Sequence, residues 1–404
     1  MTAAYFVLVA GVGAALHIGK LPPALQILER VLGISLMQAG FLLSLVQLSG
    51  MTLGLVTGLA VLRVGLKRSL VAGLLVLAMA SLLGSMADSA SWLLATRALE
   101  GLGFLWVVLP GPGLLRQLVP AQRLNRMMGM WGTYMPLGTS LALLLGPLVM
   151  HIGGADDGWR LLWRVLGIFT IVLALLVLGR VPADKVMRLH TRQSAAPAAS
   201  SPDWHLLALT LRSHPAWWMA LSFAVYSGQW IAVVGFLPSI YAQAGIANDT
   251  AAWLTALAAG VNMLGNLAAG RLLERGARPA ALLCTGFVVM GGGATVAFGL
   301  HAAPWLQYLA VLAFSAVGGL IPATLFSLAV KLAPRADAVS TTVGWMQQWS
   351  AIGQFLGPPL VAWAAVRAGG WQWTGAVSLV FSAAGVLLAL LIHRSWLLLL
   401  KGCG

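Results

Sequence analysis

Along the 404-residue chain, apolar residues run for roughly 20 positions at a time, and short polar stretches separate the runs. A hydrocarbon core about 30 Å thick needs about 20 such residues in a helix, so each run is long enough to cross a bilayer. Twelve spans are predicted, at 3–28, 37–61, 69–87, 92–115, 127–150, 160–179, 216–243, 250–271, 280–300, 305–330, 339–363 and 371–393. The runs are too long for barrel strands, and a helix satisfies its own backbone where there is no water. The chain reads as an all-α membrane protein. Residues 181–215 break the rhythm with Ala, Ser, Pro and scattered charges, which predicts a cytoplasmic linker between six-helix bundles at 1–180 and 216–404.

The second bundle echoes the first. At a shift of 212 residues, Gly33-Ile34 matches Gly245-Ile246, Gly58 and Arg63 match Gly270 and Arg275, Pro110 matches Pro322, and Gly158-Trp159 matches Gly370-Trp371. Gly146-Pro147 and Gly357-Pro358 agree within one residue. Matches in one order near one shift imply two related bundles, as parallel repeats produce in secondary transporters.

Composition then fixes the class. Hydrophobic residues make up 60% and charged residues 8%, against about a quarter charged in a soluble domain. The net charge of +14 raises the question of a nucleic-acid partner, and its placement answers it. Of the 24 Lys and Arg residues, two lie within spans and four (Arg30, Arg160, Arg164, Arg367) lie on one side; the other eighteen lie on the opposite side. That asymmetry is the positive-inside signal. It predicts cytoplasmic termini, most simply in a bacterial inner membrane, and no nucleic-acid binding. The first run has no Lys or Arg before it and exceeds a signal-peptide core, so it reads as a retained helix. Cys284 and Cys403 give no disulfide framework and no metal spacing.

With these features in place the chain resembles the major facilitator superfamily. The loop "GLAVLRVGLKRSL" is similar to that family's signature between its second and third helices, with Gly58, Arg63, Gly65 and Lys67 at matching positions and Leu62 where the family usually has Asp. The resemblance implies a latch on the cytoplasmic face. The second copy, "GRLLERGAR", keeps an acid as Glu274 beside Arg275, so the implied latch is lopsided. "RALEGLGF" supplies the family's Arg-x-x-x-Gly-x-Gly pattern through Arg97, Gly101 and Gly103. His17 and Lys20 before a double proline, with "EGLGF" in the fourth helix, resemble the branch for cyanate and nitroimidazole-type compounds. The implied architecture is the major facilitator fold, two pseudo-symmetric bundles of six transmembrane helices.

Lys20, Arg97 and Glu100 are the three charged side chains deep in predicted spans, with His17 as a fourth that titrates. A charge at a helix centre costs about 2.5–3.5 kcal/mol on insertion scales, so each needs a partner or a water-filled path. His17 and Lys20 are three residues apart, as are Arg97 and Glu100, so each pair shares one helix face. The resemblance implies that the first and fourth helices line the central cavity, which would make these faces one site for an anion. Glu100 and His17 are then candidates for the coupling proton. Plainer readings stand beside these: a permanent Arg97–Glu100 pair, a snorkelling Lys20, a His17 that bonds a neighbour. In the second half Tyr226, Gln229, Trp230, Asn262, Gln347, Gln348 and Gln354 could complete a substrate's hydrogen bonds, as could Tyr134 in the first, or they could simply pack helices.

The expected function is secondary transport of a small, anionic solute by alternating access, proton-coupled, by a monomer whose partners are solute, protons and lipid, without cofactor or metal. The alternatives are a drug/proton antiporter for apolar or cationic compounds and a non-transporting membrane sensor. An enzyme is not expected, since the spans hold no catalytic cluster.

Overall fold

The computed structural model describes residues 2–34, 36–183, 203–300, 302–335, 338–368 and 370–402, and its regular structure is helical throughout. Span 1 comprises Thr2–Gly19 and Leu21–Leu32, span 2 Leu36–Ser44 and Val46–Val64, and span 3 Leu66–Gly84. Span 4 is Ala90–Val108 and Pro110–Leu118, span 5 Leu124–Gly132 and Tyr134–Gly153, and span 6 Gly158–Arg180. Span 7 is His214–Gln243, span 8 Asn248–Gly260 and Asn262–Glu274, and span 9 Pro279–Ala294 ending in the π turn Thr295–Gly299. Span 10 is Pro304–Gly318 and Leu320–Leu332, span 11 Val339–Ala368 and span 12 Trp373–Gly402. Among the described residues, ten helices are long and apolar enough to cross a membrane.

Most of the predicted linker, 184–202, lies outside the described residues. Its last part carries a further helix, Asp203–Arg212, fastened to span 11 by a buried hydrogen bond between the hydroxyls of Thr210 and Thr341 (2.7 Å).

The breaks within spans follow from local chemistry. Pro22 and Pro23 have no N–H, so the carbonyls of Ile18 and Gly19 lose their helical donors and span 1 restarts after Lys20. Both prolines are tolerated in the first turn of the new segment. Span 4 restarts at Pro110 in the same way.

Spans 3, 4 and 6 pack together, as do 1 with 5, 7 with 11, and 9 with 12. Glycines set how closely they approach. A Cβ on Gly265 in span 8 would collide with the Ala316 carbonyl of span 10, and a Cβ on Gly353 in span 11 with the Ala224 carbonyl of span 7. Two seams join the halves, span 2 against span 11 and span 5 against span 8. On the first, Gly50, Gly54 and Gly58 form a stripe at four-residue spacing that lies against Ala351, Gln348 and Gly344. On the second, Gly129 approaches Asn266 and Gly270, and Ser140 Oγ donates to the Ala256 carbonyl (2.8 Å).

Gly265→Ala should lower the thermal unfolding midpoint in detergent, since overpacking a tight contact costs about 1–3 kcal/mol. Gly292→Ala, where a Cβ meets nothing within 4 Å, should leave the midpoint unchanged. Equal midpoints in the two variants would overturn the packing argument.

Candidate functional site

The break in span 1 places Lys20 between spans 1, 3, 4 and 6, with none of its surface exposed. Its Nζ donates to Glu100 Oε1 (2.5 Å), Ser81 Oγ (2.9 Å) and His17 Nδ1 (3.2 Å), and lies 4.3 Å from the centre of the Trp163 ring. Arg97, 2% exposed, donates through Nη1 to Glu100 Oε2 and to the His17 carbonyl (both 2.6 Å), and through Nε to the Leu42 carbonyl of span 2 (3.0 Å). His17 Nε2 meets Thr170 Oγ1 of span 6 (2.8 Å), and Ser81 Oγ passes a bond on to the Trp163 carbonyl (2.8 Å). One carboxylate thus pairs with a cation from each of two helices. Lys20 points inward, and the Arg97–Glu100 pair within span 4 is part of a larger cluster tying five of the six N-terminal spans.

The central cavity lies elsewhere, between the halves, with a volume of about 70 Å³. Of the side chains singled out in the sequence, Tyr134, Tyr226, Trp230, Asn262 and Gln347 line it. His17, Lys20, Arg97 and Glu100 do not, although Gly101 next to Glu100 does. Gln229 turns away to span 12, where its Oε1 accepts from Ser378 (2.8 Å) and Ser382 (3.2 Å). Gln348 lies on the seam against Gly54.

Gln47, Phe104, Met135, Phe223, Ser227, Phe326, Ser350 and Gln354 complete much of the wall. Apart from Gln354, sequence reasoning missed them as site residues because apolar and small polar positions at helical spacing look the same in a core as in a cavity. Among the described residues the lining carries no charged side chain.

Two neutral contacts bridge the halves at this wall. Gln47 Nε2 donates to Gln354 Oε1 (3.0 Å), and the Tyr134 hydroxyl is hydrogen-bonded with Gln347. Behind the wall, Tyr226 donates to Asn262 Oδ1 (3.2 Å), Asn262 Nδ2 to the Ser315 carbonyl (2.7 Å), and Trp230 Nε1 to Ser315 Oγ (3.1 Å). Among the described residues no group of three or more His, Cys, Asp or Glu is placed to hold a metal.

A profile of the Major Facilitator Superfamily matches residues 2–245 and again 219–396, which together span nearly the whole chain. The chain belongs to the Major Facilitator Superfamily. It is an integral membrane transport protein rather than an enzyme. Solved structures of the superfamily share its fold at low identity. The E. coli fucose:proton symporter FucP has a TM-score of 0.73 at 16% identity, covering 96% of this chain and 97% of that one. The proton:xylose symporter XylE, bound to 6-bromo-6-deoxy-D-glucose, has a TM-score of 0.76 at 15% identity, covering 97% and 96%. A bacterial homologue of the human lysosomal transporter Spinster, inward-facing and occupied, has a TM-score of 0.73 at 14% identity, covering 98% and 97%. No curated protein sequence matches the chain.

The superfamily's loop signature occupies the turn between spans 2 and 3. Gly65 takes φ +107° there, a conformation that favours glycine, Lys67 Nζ donates to the Leu178 carbonyl of span 6 (2.8 Å), Gly58 sits on the seam, and Arg63 is exposed. In the second copy, Glu274 Oε1 accepts from the backbone N–H of Arg126 at the start of span 5 (3.1 Å), a carboxylate on the positive end of a helix from the other half. Arg275 closes span 8 through its backbone N–H to the Arg271 carbonyl (3.1 Å). The pseudo-equivalent of Glu274 is Leu62, a side chain without an oxygen to accept from the corresponding amide of Ala338.

Glu100→Gln should destabilise the protein strongly. Breaking a buried ion pair from one side costs about 3–5 kcal/mol, and here two cations lose their partner. The double variant Glu100→Gln with Lys20→Met should recover part of that loss, read as the thermal unfolding midpoint in detergent. Strictly additive losses would show that the two side chains do not interact.

Proposed function

We propose that the protein is a proton-coupled secondary transporter, moving a small uncharged solute that combines an aromatic or apolar face with hydrogen-bonding groups. The observation that carries this reading is the cavity wall. Six aromatic side chains (Phe104, Tyr134, Phe223, Tyr226, Trp230 and Phe326) stand among amides and hydroxyls, and among the described residues no charge is there to balance an ionic solute. The sequence reading favoured an anion on the premise that Lys20 and Arg97 face the cavity. Both are instead engaged with Glu100, so that premise gives no support here.

Alternating access suits the two bridging contacts. A solute that bonds to Gln47, Gln354, Tyr134 or Gln347 replaces neutral bonds that join the halves, and so is read by both bundles, 1–180 and 216–404. The buried cluster is the coupling element in this reading. It is one residue from the wall at Gly101, and a change in its charge moves spans 1 and 4 against the cavity. Two proteins of the same fold are proton symporters, which fits. The basic loops favour cytoplasmic termini, and a bacterial inner membrane with the chain as a monomer completes the proposal.

The drug/proton antiporter remains the second reading, and the aromatic wall favours its apolar substrates. Among the described residues the lining offers no carboxylate to a cationic one.

Proteoliposomes offered a panel of neutral heteroaromatic amides, organic anions and organic cations under an imposed pH gradient test the proposal. Uptake of neutral members, abolished by a protonophore, is the expected result. Uptake confined to anions would overturn it. For a transported neutral solute, Gln347→Ala should raise the half-saturation concentration about tenfold, the equivalent of about one hydrogen bond. An unchanged value would remove Gln347 from the site.

A further inference from the structure

The contacts of Lys20 can be counted proton by proton. An ammonium has three hydrogens, and three acceptors surround Nζ: Glu100 Oε1, Ser81 Oγ and His17 Nδ1. Ser81 spends its own hydrogen on the Trp163 carbonyl, so it accepts from Lys20. Thr170 spends its own on the Leu166 carbonyl (2.8 Å), so His17 must donate to it from Nε2. His17 is therefore neutral, with hydrogen on Nε2 and the lone pair of Nδ1 turned to Lys20.

Charge is less well balanced than hydrogen bonding. Lys20 and Arg97 carry two positive charges against one on Glu100, a net +1 at side chains no more than 2% exposed. Among the described residues the neighbouring elements add no charge: span 2 contributes the Leu42 carbonyl, span 3 Ser81, span 5 Thr139 behind Gly19, and span 6 Trp163 and Thr170. Adding a proton to Glu100 or to His17 takes the cluster to +2, and on His17 it also turns a donor against the Lys20 ammonium. Arg97 keeps its proton. Removing one proton from Lys20 is the change that brings the buried charge to zero, and burying unbalanced charge is what an apolar medium penalises most.

We infer that Lys20 is the group that gives up and takes back the coupling proton, with His17 as a relay that changes tautomer in step. The inference rests on the proton coupling proposed above and names its carrier. On release, one Nζ–H bond breaks, its electron pair stays on Nζ, and the proton bonds to Nδ1 of His17. The Nε2–H bond then breaks, its electron pair stays on Nε2, and the proton passes to a water molecule admitted beside Thr170 when the bundle opens, so one proton is lost in total and the imidazole ends neutral. Nδ1–H then donates to the Nζ lone pair, and the Thr170 hydroxyl turns from the Leu166 carbonyl to donate to Nε2. Glu100, paired with Arg97 in both states, is a positioning residue here.

The test is nitrogen NMR of the full chain, labelled with ¹⁵N-histidine, in nanodiscs across the pH range in which histidine and lysine titrate. His17→Asn identifies the signal. The expected result is an exchange of the His17 hydrogen from Nε2 at low pH to Nδ1 at high pH, without an imidazolium state. Lys20→Met and Lys20→Arg should each abolish the exchange, and the arginine variant, which keeps a cation, serves if the methionine variant does not fold. A doubly protonated His17 in the wild type would overturn the inference, as would an exchange that persists without Lys20.

Proteoliposome uptake under a pH gradient separates the two proposals. Proton-driven uptake with a fixed His17 tautomer sinks Lys20 as carrier and leaves the transporter reading intact. A tautomer exchange without proton-driven uptake sinks the coupling itself.

Discussion

Much of the N-terminal bundle depends on one carboxylate shared by two cations. Glu100 holds Lys20 from span 1 and Arg97 from its own helix; through their remaining donors these two reach spans 2 and 3, and His17 beside them reaches span 6. In a membrane such a cluster does more than the lipid-facing surface can, because helices surrounded by hydrocarbon gain little from burying more apolar area. The double proline belongs to the same arrangement. It breaks span 1 beside Lys20, and one turn earlier the His17 carbonyl takes a guanidinium hydrogen of Arg97.

The repeat makes the one-sidedness of this arrangement visible. His17 and Thr170 are paired across spans 1 and 6; at the same shift of 212 residues, Gln229 and Ser382 are paired across spans 7 and 12. The hydrogen-bonded contact survives in both bundles, while the charges occur in one. Lys20, Arg97 and Glu100 correspond to Ala232, Leu309 and Leu312. Confinement of the charges to one half fits the proposed role of that bundle in proton coupling, while the other contributes uncharged contacts to the cavity.

The succession of spans was legible because hydrophobic run length and loop charge are direct physical requirements of the bilayer. The pairing of His17, Lys20, Arg97 and Glu100 was legible from three-residue spacing and the cost of an unpaired charge. Which way that cluster faced was not. Spacing fixes a common face but not the rotation of the helix, and the break at Lys20 changes that rotation. The same gap separated Gln347, on the cavity, from its neighbour Gln348, on the seam, and placed Gln229 against span 12. The glycines at 50, 54 and 58 carried a readable stripe, but spacing alone does not name the partner helix.

Span 11 combines features that suit it poorly to lipid: Gln347, Gln348 and Gln354, Ser350, and the pair Pro358 and Pro359 within the helix. Its close neighbours are span 7, whose Ser227 hydroxyl donates to the Ser350 carbonyl, and span 2, whose Gln47 meets Gln354. Both neighbours precede it in the chain. A ribosome therefore delivers this amide-rich helix late, when the surfaces able to satisfy its amides have already been made. The order of the spans along the gene doubles as an order of assembly, in which span 11 enters a prepared slot instead of facing bare lipid.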